Sequence, residues 1–519
     1  MNSYIKNKII PIGIIIFVII SIIIISTYAL SIWSSSENTE LTMKIGDVAG
    51  VYFNTGPNIN LSNLGPVVDY EQYGEASTFS ITNYTSGAVS VDINLIVTSI
   101  SDNLKEESFK YVLMSSTNGT NYTKISEGNF QDVSNNDSIS LQSNYRLSPS
   151  TTTYFKVIIF IDGNMNNPTT MQNGSFSAIL SISASEVFTP EQVLANLGLS
   201  VSSGTPDFSG ASCNTSWVCH GGSSGIYSAE DDLGTSYYFR GDLTNNYVKF
   251  GKNESGSDMY WRIIRINGDG TVRMIYDGTQ AHNNGTSSTN RYVTTSVFNS
   301  SLNDNTYVGY MYGDTGQSTY ASTHTNKYNS TIKTYLEGTS ANNYTDGWYY
   351  KNIVATGYAD YVADAIYCND RSLYSGSGYA QNSGFYGGYN RLYANKTPTL
   401  KCDLDNNTTK RDSFTVNTNL GNGLLKYPVG LITADEIAYA GGIYRVSNES
   451  MYLSGESTWT MSPFFGYLAY EWRLASGGSA YDIYVNTEQG VRPVVNLRSG
   501  VEIIDGDGTS GNPYVIKTN

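Results

Sequence analysis

The stretch Tyr260 to Gly278, YWRIIRINGDGTVRMIYDG, constrains the fold of this chain more than any other. Two strand-like runs face each other across Asn267-Gly268-Asp269-Gly270, whose residue types supply the positive φ angles of a tight reversal. Trp261, Ile263, Ile264, Ile266, Val272, Met274, Ile275 and Tyr276 place apolar groups on both faces of the resulting ribbon. A β-hairpin that is apolar on both faces must be covered on both. It therefore belongs inside a domain, which the spacing of later elements extends to the C-terminus.

At 519 residues the chain has room for roughly two to four domains of about 150 residues each. Tyrosine contributes 43 residues while charged residues reach only 14%, so Ser, Thr, Asn, Gly and the tyrosine hydroxyls must carry much of the polar surface. That composition fits an exported protein. A formal net charge of −15, with no basic run after the first eight residues, argues against nucleic acid as a partner, because phosphate binding needs clustered cations.

The N-terminus carries Lys6 and Lys8 ahead of an apolar run from Ile9 to Ile25. This run serves either as a signal peptide cleaved after Ala29 or as a transmembrane anchor with the lysines in the cytoplasm. In both cases residues 1–30 direct export and the rest lies outside the plasma membrane or at the cell surface. Four cysteines in an exported chain imply two disulfides. Three pairings are open, and Cys213 with Cys219 and Cys368 with Cys402 are favoured over a metal site, for which His220, His282 and His324 are too scattered.

Residues 37–187 alternate with period two. Val89, Val91, Ile93, Leu95 and Val97 interleave with polar residues, as do Phe176, Ala178, Leu180, Ile182 and Ala184. Tyr154 to Ile161 is more continuously apolar and reads as a central strand. An all-β sandwich, Ig-like or jelly-roll, satisfies this pattern. Thr189-Pro190-Glu191-Gln192 opens a short helix with a cap, and residues 188–212 read as helix and linker. Residues 213–519 mix short strands with helices beginning at Ser330 and Thr433, which is an α+β pattern.

Within that region, Tyr237 to Gly241, Trp261 to Gly270, Gly430 to Glu436, Trp459 to Pro463 and Gly490 to Leu497 resemble an uncharacterised family of exported proteins from low-GC bacteria. The order of elements resembles the C-type-lectin-like fold shared with formylglycine-generating enzymes. The N-terminal part is similar to surface proteins of the camelysin/TasA type, which implies self-association through the sandwich. Formylglycine-generating chemistry needs a late cysteine pair, and no cysteine follows Cys402; an enzyme is therefore the third reading, and no cofactor is expected.

Ser372 to Tyr393 concentrates Tyr374, Tyr379, Phe385, Tyr386, Tyr389 and Tyr393 among Gly, Ser and Asn, the mixture that adaptable binding loops use. A second aromatic group comprises Tyr467, Tyr470, Trp472, Arg473, Tyr481 and Tyr484. From these, Tyr374, Tyr379, Tyr386, Tyr389, Tyr467, Trp472 and Arg473 are the candidate ligand-binding residues, with a glycan or surface protein as ligand. The leading expectation is a non-catalytic surface binding or adhesion protein, and the alternative is a structural subunit of a surface fibre or matrix. Glu230-Asp231-Asp232 and Asp505-Gly506-Asp507-Gly508 resemble calcium loops only superficially, and ordinary turn chemistry accounts better for the second.

Overall fold

The computed structural model describes residues 32–34, 41–42, 51–54, 59–62 and 65–518, excepting 85–87, 166–170, 172–173, 209–223, 318, 320–321, 323, 374–384, 403–409, 419 and 466–467. The apolar N-terminal run and the Cys213 and Cys219 pair lie outside the described residues. Among the described residues no helix is long and apolar enough to cross a membrane. The chain divides into two compact units, Met1–Val187 and Phe188–Asn519.

In the first unit, the alternating runs become two sheets. Val89–Ile100 lies between Ser175–Glu186 and Ser138–Leu147 in one sheet. Thr151–Asp162 lies between Glu75–Asn83 and Phe109–Ser116 in the other, so the more continuously apolar run is indeed an interior strand. Val91, Ile93, Leu95 and Val97 point into one core together with Phe79, Ile81, Phe155 and Val157 of the facing sheet. The unit is a β-sandwich. One outer strand of each sheet is a poor template for further pairing: Ser138–Leu147 is broken by register shifts, and Thr123–Asn129 carries Lys124 and Glu127 as an exposed ion pair.

In the second unit, the hairpin strand Asp258–Ile266 is the organising element. Val272–Gly278 pairs along one edge, while Tyr247–Lys252 and the middle of Gly234–Arg240 share the other. All seven residues of Val272–Gly278 are buried, as the two-sided apolar pattern requires. The reversal closes with hydrogen bonds from Asn267 N to Thr271 O and from Gly270 N to Asn267 O. Gly270 adopts a φ of 85° there. Val272–Gly278 continues the sheet to Val494–Leu497. Arg492 and Pro493 then separate that strand from Gln489–Val491, which belongs to a second sheet with Thr458–Phe465, Tyr470–Leu474 and Ala480–Tyr484.

The helices among these strands are only one or two turns long. Thr189 and Thr433 each form a full capping box, with Gln192 and Glu436 respectively. The first of these helices, Pro190–Asn196, is an integral part of the second unit: Val193, Leu194 and Leu197 join its core, and the Tyr514 hydroxyl donates to Leu197 O at 2.8 Å. Trp459 and Arg492 are architectural. The Trp459 indole donates to Ser296 O at 2.8 Å. The Arg492 guanidinium is buried and donates to Asp277 Oδ1 at 2.9 Å, the same oxygen that accepts from Arg291.

Candidate functional site

The antiparallel pair Tyr470–Leu474 and Ala480–Tyr484 sets up the site by simple alternation. Tyr470 opposes Tyr484 and Trp472 opposes Asp482, so these four side chains share one face of the sheet. Glu471 and Arg473 point to the other face, with Ile483 and Tyr481. The Tyr470 and Tyr484 rings lie 4.2 Å apart at their centroids. Trp472 is fully buried beneath Phe464, at 4.8 Å, and Tyr444, at 5.4 Å.

A second element lies over this base. Gly387–Tyr389 starts a helical turn that widens to π geometry over Asn390–Asn395. The four-residue spacing brings Tyr389 and Tyr393 together at 5.0 Å. Gly388 eases this approach, since a Cβ there would sit 3.3 Å from Trp472 Nε1 and press the indole back by a few tenths of an ångström. Tyr389 packs edge-on to Phe464 at 5.5 Å and Tyr393 edge-on to Tyr444 at 5.3 Å. Phe385 stacks on Tyr389 at 3.9 Å.

The result is one aromatic surface with a dry base and a wet rim. Trp472 and Phe464 are buried, whereas Tyr393 is 49% exposed and Tyr484 38% exposed. Tyrosine suits such a rim because it offers an apolar ring and a polar tip. Polar groups ring the edge. The Tyr444 hydroxyl donates to Asp482 at 3.3 Å and the Arg445 guanidinium to the same carboxylate at 2.9 Å. Burial, followed by the Asp482 charge, pushes the Tyr444 phenol above its ordinary range, so it stays a donor at any physiological pH. Arg445 also lies over the Tyr444 and Tyr481 rings, and Lys396 over Tyr393.

The candidate residues from the sequence separate into three groups. Tyr389 and Trp472, from the two aromatic stretches, meet on this surface, with Trp472 as its buried support. Tyr386 and Arg473 do not join it. Tyr386 is buried, with its hydroxyl 3.1 Å from His324 Nε2, and Arg473 donates to Gln489 Oε1 at 3.0 Å on the opposite face of the sheet. Tyr374, Tyr379 and Tyr467 lie outside the described residues. Sequence reasoning missed Tyr444, Arg445, Asp482, Phe464 and Lys396 as site residues. The adjacent Tyr-Arg at 444–445 after Gly441-Gly442 was the available signal.

A polar cavity of about 40 Å³ lies elsewhere in the unit, beside the Cys368–Cys402 disulfide. Its charges are paired internally: Arg265 with Asp231 at 2.7 Å, Arg273 with Glu436 at 2.6 Å, and Arg391 with Asp370 at 2.8 Å and Asp435 at 2.7 Å. The space admits a few waters at most. It also accounts for the acidic run at 230–232, because Asp231 takes the Arg265 ion pair and Asp232 accepts from Cys402 N at 2.8 Å. Asp507 likewise holds a turn, accepting from Thr509 N at 3.0 Å.

No family model matches the sequence, and no curated protein matches it. Among solved structures, similarity extends to that of infectious bursal disease virus, Gx strain, at 13% identity and a TM-score of 0.18, covering 30% of this chain and 40% of that one. A family 35 carbohydrate binding module from an environmental isolate matches at 12% identity and a TM-score of 0.16, covering 30% of this chain and 87% of that one. CpGH89CBM32-5 from Clostridium perfringens, in complex with GalNAc-beta-1,3-galactose, matches at 13% identity and a TM-score of 0.14, covering 30% and 90%. These matches assign no family. Likeness at this level carries no argument about ligand, so the function rests on the geometry of the aromatic surface.

Proposed function

We propose that this chain is an exported bacterial surface protein whose second unit binds a ligand without transforming it. The aromatic surface around Tyr393, Tyr444 and Tyr484 carries this reading. It combines half-exposed rings, a rigid buried support and a polar rim, which is how an exposed face gains contact area at low conformational cost. On this reading the β-sandwich is a stalk that presents the second unit, and the C-type-lectin-like resemblance belongs to that unit. A fibre or matrix subunit is the weaker reading, because Ser138–Leu147 is bulged and Thr123–Asn129 charged, which discourages open-ended strand pairing along those two edges.

The test is a binding screen of the full-length protein against polysaccharides and surface proteins, repeated with Tyr393→Ala and Tyr484→Ala together. Binding that falls at least tenfold in a variant with an unchanged melting temperature supports the assignment. Binding that the double variant leaves intact places the ligand elsewhere.

A further inference from the structure

Two cations on the aromatic surface occupy a backbone conformation that ordinarily belongs to glycine or asparagine. Lys396 has a φ of 57° and Arg445 a φ of 56°. The left-handed region strains a residue with a Cβ, and such outliers collect at ligand clamps and switch regions. Lys396 ends the π-helical turn, where Gly or Asn is the usual cap. Lys396 is half-buried and the Arg445 side chain is 51% exposed, so both cationic heads reach the surface.

Their placement is ordered. Lys396 Nζ lies 5.4 Å from the Tyr393 centroid, Tyr393 lies 5.3 Å from Tyr444, and Arg445 lies 5.0 Å from Tyr444. The four side chains thus form a strip with a cation at each end and two rings between. Lys396 Nζ donates to Leu392 O at 3.1 Å, and among the described residues it makes no ion pair. Among the described residues, Asp482 is the one carboxylate in contact with the strip, and Arg445 shares it with the Tyr444 hydroxyl. The strip is therefore locally cationic on a chain of net charge −15. A shallow cleft between Lys396, Pro398, Ile443, Tyr444 and Ala480 runs beside it.

Building on the binding reading above, we infer that this strip recognises an anionic polysaccharide. The apolar face of one sugar ring lies on the exposed Tyr393, which meets Tyr444 edge-on, and carboxylate or phosphate oxygens meet Lys396 and Arg445. The ring supplies sequence-tolerant stacking area, and the two cations discriminate for charge. Single-stranded nucleic acid offers similar groups, but two cations on so acidic a chain fall short of the basic footprint it requires.

The experiment measures full-length protein against polygalacturonate, its fully methyl-esterified form, dextran, phosphorylated dextran and a thymidine oligonucleotide, at 50 and 500 mM salt. The variant is Lys396→Asn with Arg445→Asn, which removes both charges while suiting the left-handed backbone. The expected result is at least tenfold tighter binding of polygalacturonate than of its ester, weakened by salt, and abolition of that difference in the double variant with no drop in melting temperature. Preference for phosphorylated dextran alone, lost in the same variant, also supports the inference and assigns the anion as phosphate. Equal binding of acid and ester overturns the inference and leaves the aromatic surface as a neutral-sugar site. Failure to bind any polysaccharide overturns the inference, while the binding reading itself stands or falls with the surface-protein arm of the screen above, and tighter binding of the oligonucleotide overturns the choice of polymer.

Discussion

Arg265 and Glu436 are 171 residues apart in the chain, yet the Arg265 Nε donates to the Glu436 carboxylate at 3.0 Å with both side chains buried. Glu436 also pairs with Arg273 and closes the capping box on Thr433, so one carboxylate ties the central hairpin to the helix Ala434–Tyr439. Burial alone raises the Glu436 pKa, but the Arg273 and Arg265 charges outweigh it and hold the group below its ordinary value.

Glu436→Gln leaves the buried Arg273 without its counter-charge and Arg265 with Asp231 alone, and is expected to cost about 3–5 kcal/mol. The sign of the pH dependence follows from the depressed pKa. The stabilisation is fully present above the unfolded value of about 4.3 and is lost as pH falls through the folded value. Urea unfolding from pH 7 to pH 3 checks this. The wild type converges on the variant in acid, and parallel curves at all pH values contradict the assignment.

Asp364 has the opposite sign. Burial raises its carboxyl to about 6 despite hydrogen bonds from Val416 N and Asn417 N, both at 2.9 Å. Its contribution is fully present below the unfolded value of about 3.9 and is lost as pH rises through about 6. A shift of this size corresponds to roughly 3 kcal/mol. Carbon-detected NMR titration of the Asp364 carboxyl gives a midpoint near 6, and a midpoint near 4 refutes the prediction.

The Cys368–Cys402 disulfide spans 34 residues and joins Cα atoms 5.4 Å apart. Closing a loop of that length restricts the unfolded chain by about 4 kcal/mol. Replacing both cysteines with alanine is expected to lower stability by up to that amount and to loosen Arg391 and Asp370, which the loop contains. Thermal unfolding with and without reductant measures the loss in the wild type, and the response of the double variant to reductant is smaller by the share that belongs to this bond.

Much of the fold was legible because its signals are local. Val91, Ile93, Leu95 and Val97 could be read as one sheet face, the hairpin strands as two-sided core, and Thr189 and Thr433 as caps, since each depends on neighbours within a few residues. Counting cysteines left three pairings open, of which the favoured one includes the observed Cys368–Cys402 bond. The ion-pair network was not legible, because nothing near Arg265 signals a partner at Glu436. The site was half legible for the same reason. Aromatic abundance marked Tyr389 and Trp472, but composition cannot tell a ring on the surface from one in the core, and Tyr386 is in the core. Arg473 was misplaced by proximity to Trp472, whereas strand alternation sends consecutive side chains to opposite faces.

Trp472 and Tyr393 lie on one surface and should respond to truncation in opposite ways. Trp472 is fully buried under Phe464 and Tyr444, so Trp472→Ala leaves a large cavity and is expected to cost about 3–5 kcal/mol. Tyr393 is 49% exposed, and its loss removes contact area from the rim with little effect on the core. Tyr393→Ala should therefore hold its melting temperature and lose ligand, while Trp472→Ala should lower its melting temperature and lose ligand only as the surface above it collapses. Thermal unfolding beside a binding assay at 10 °C separates the two. A Tyr393→Ala protein that unfolds as readily as Trp472→Ala makes the ring a packing element, and the binding surface would then have to be sought elsewhere on the unit.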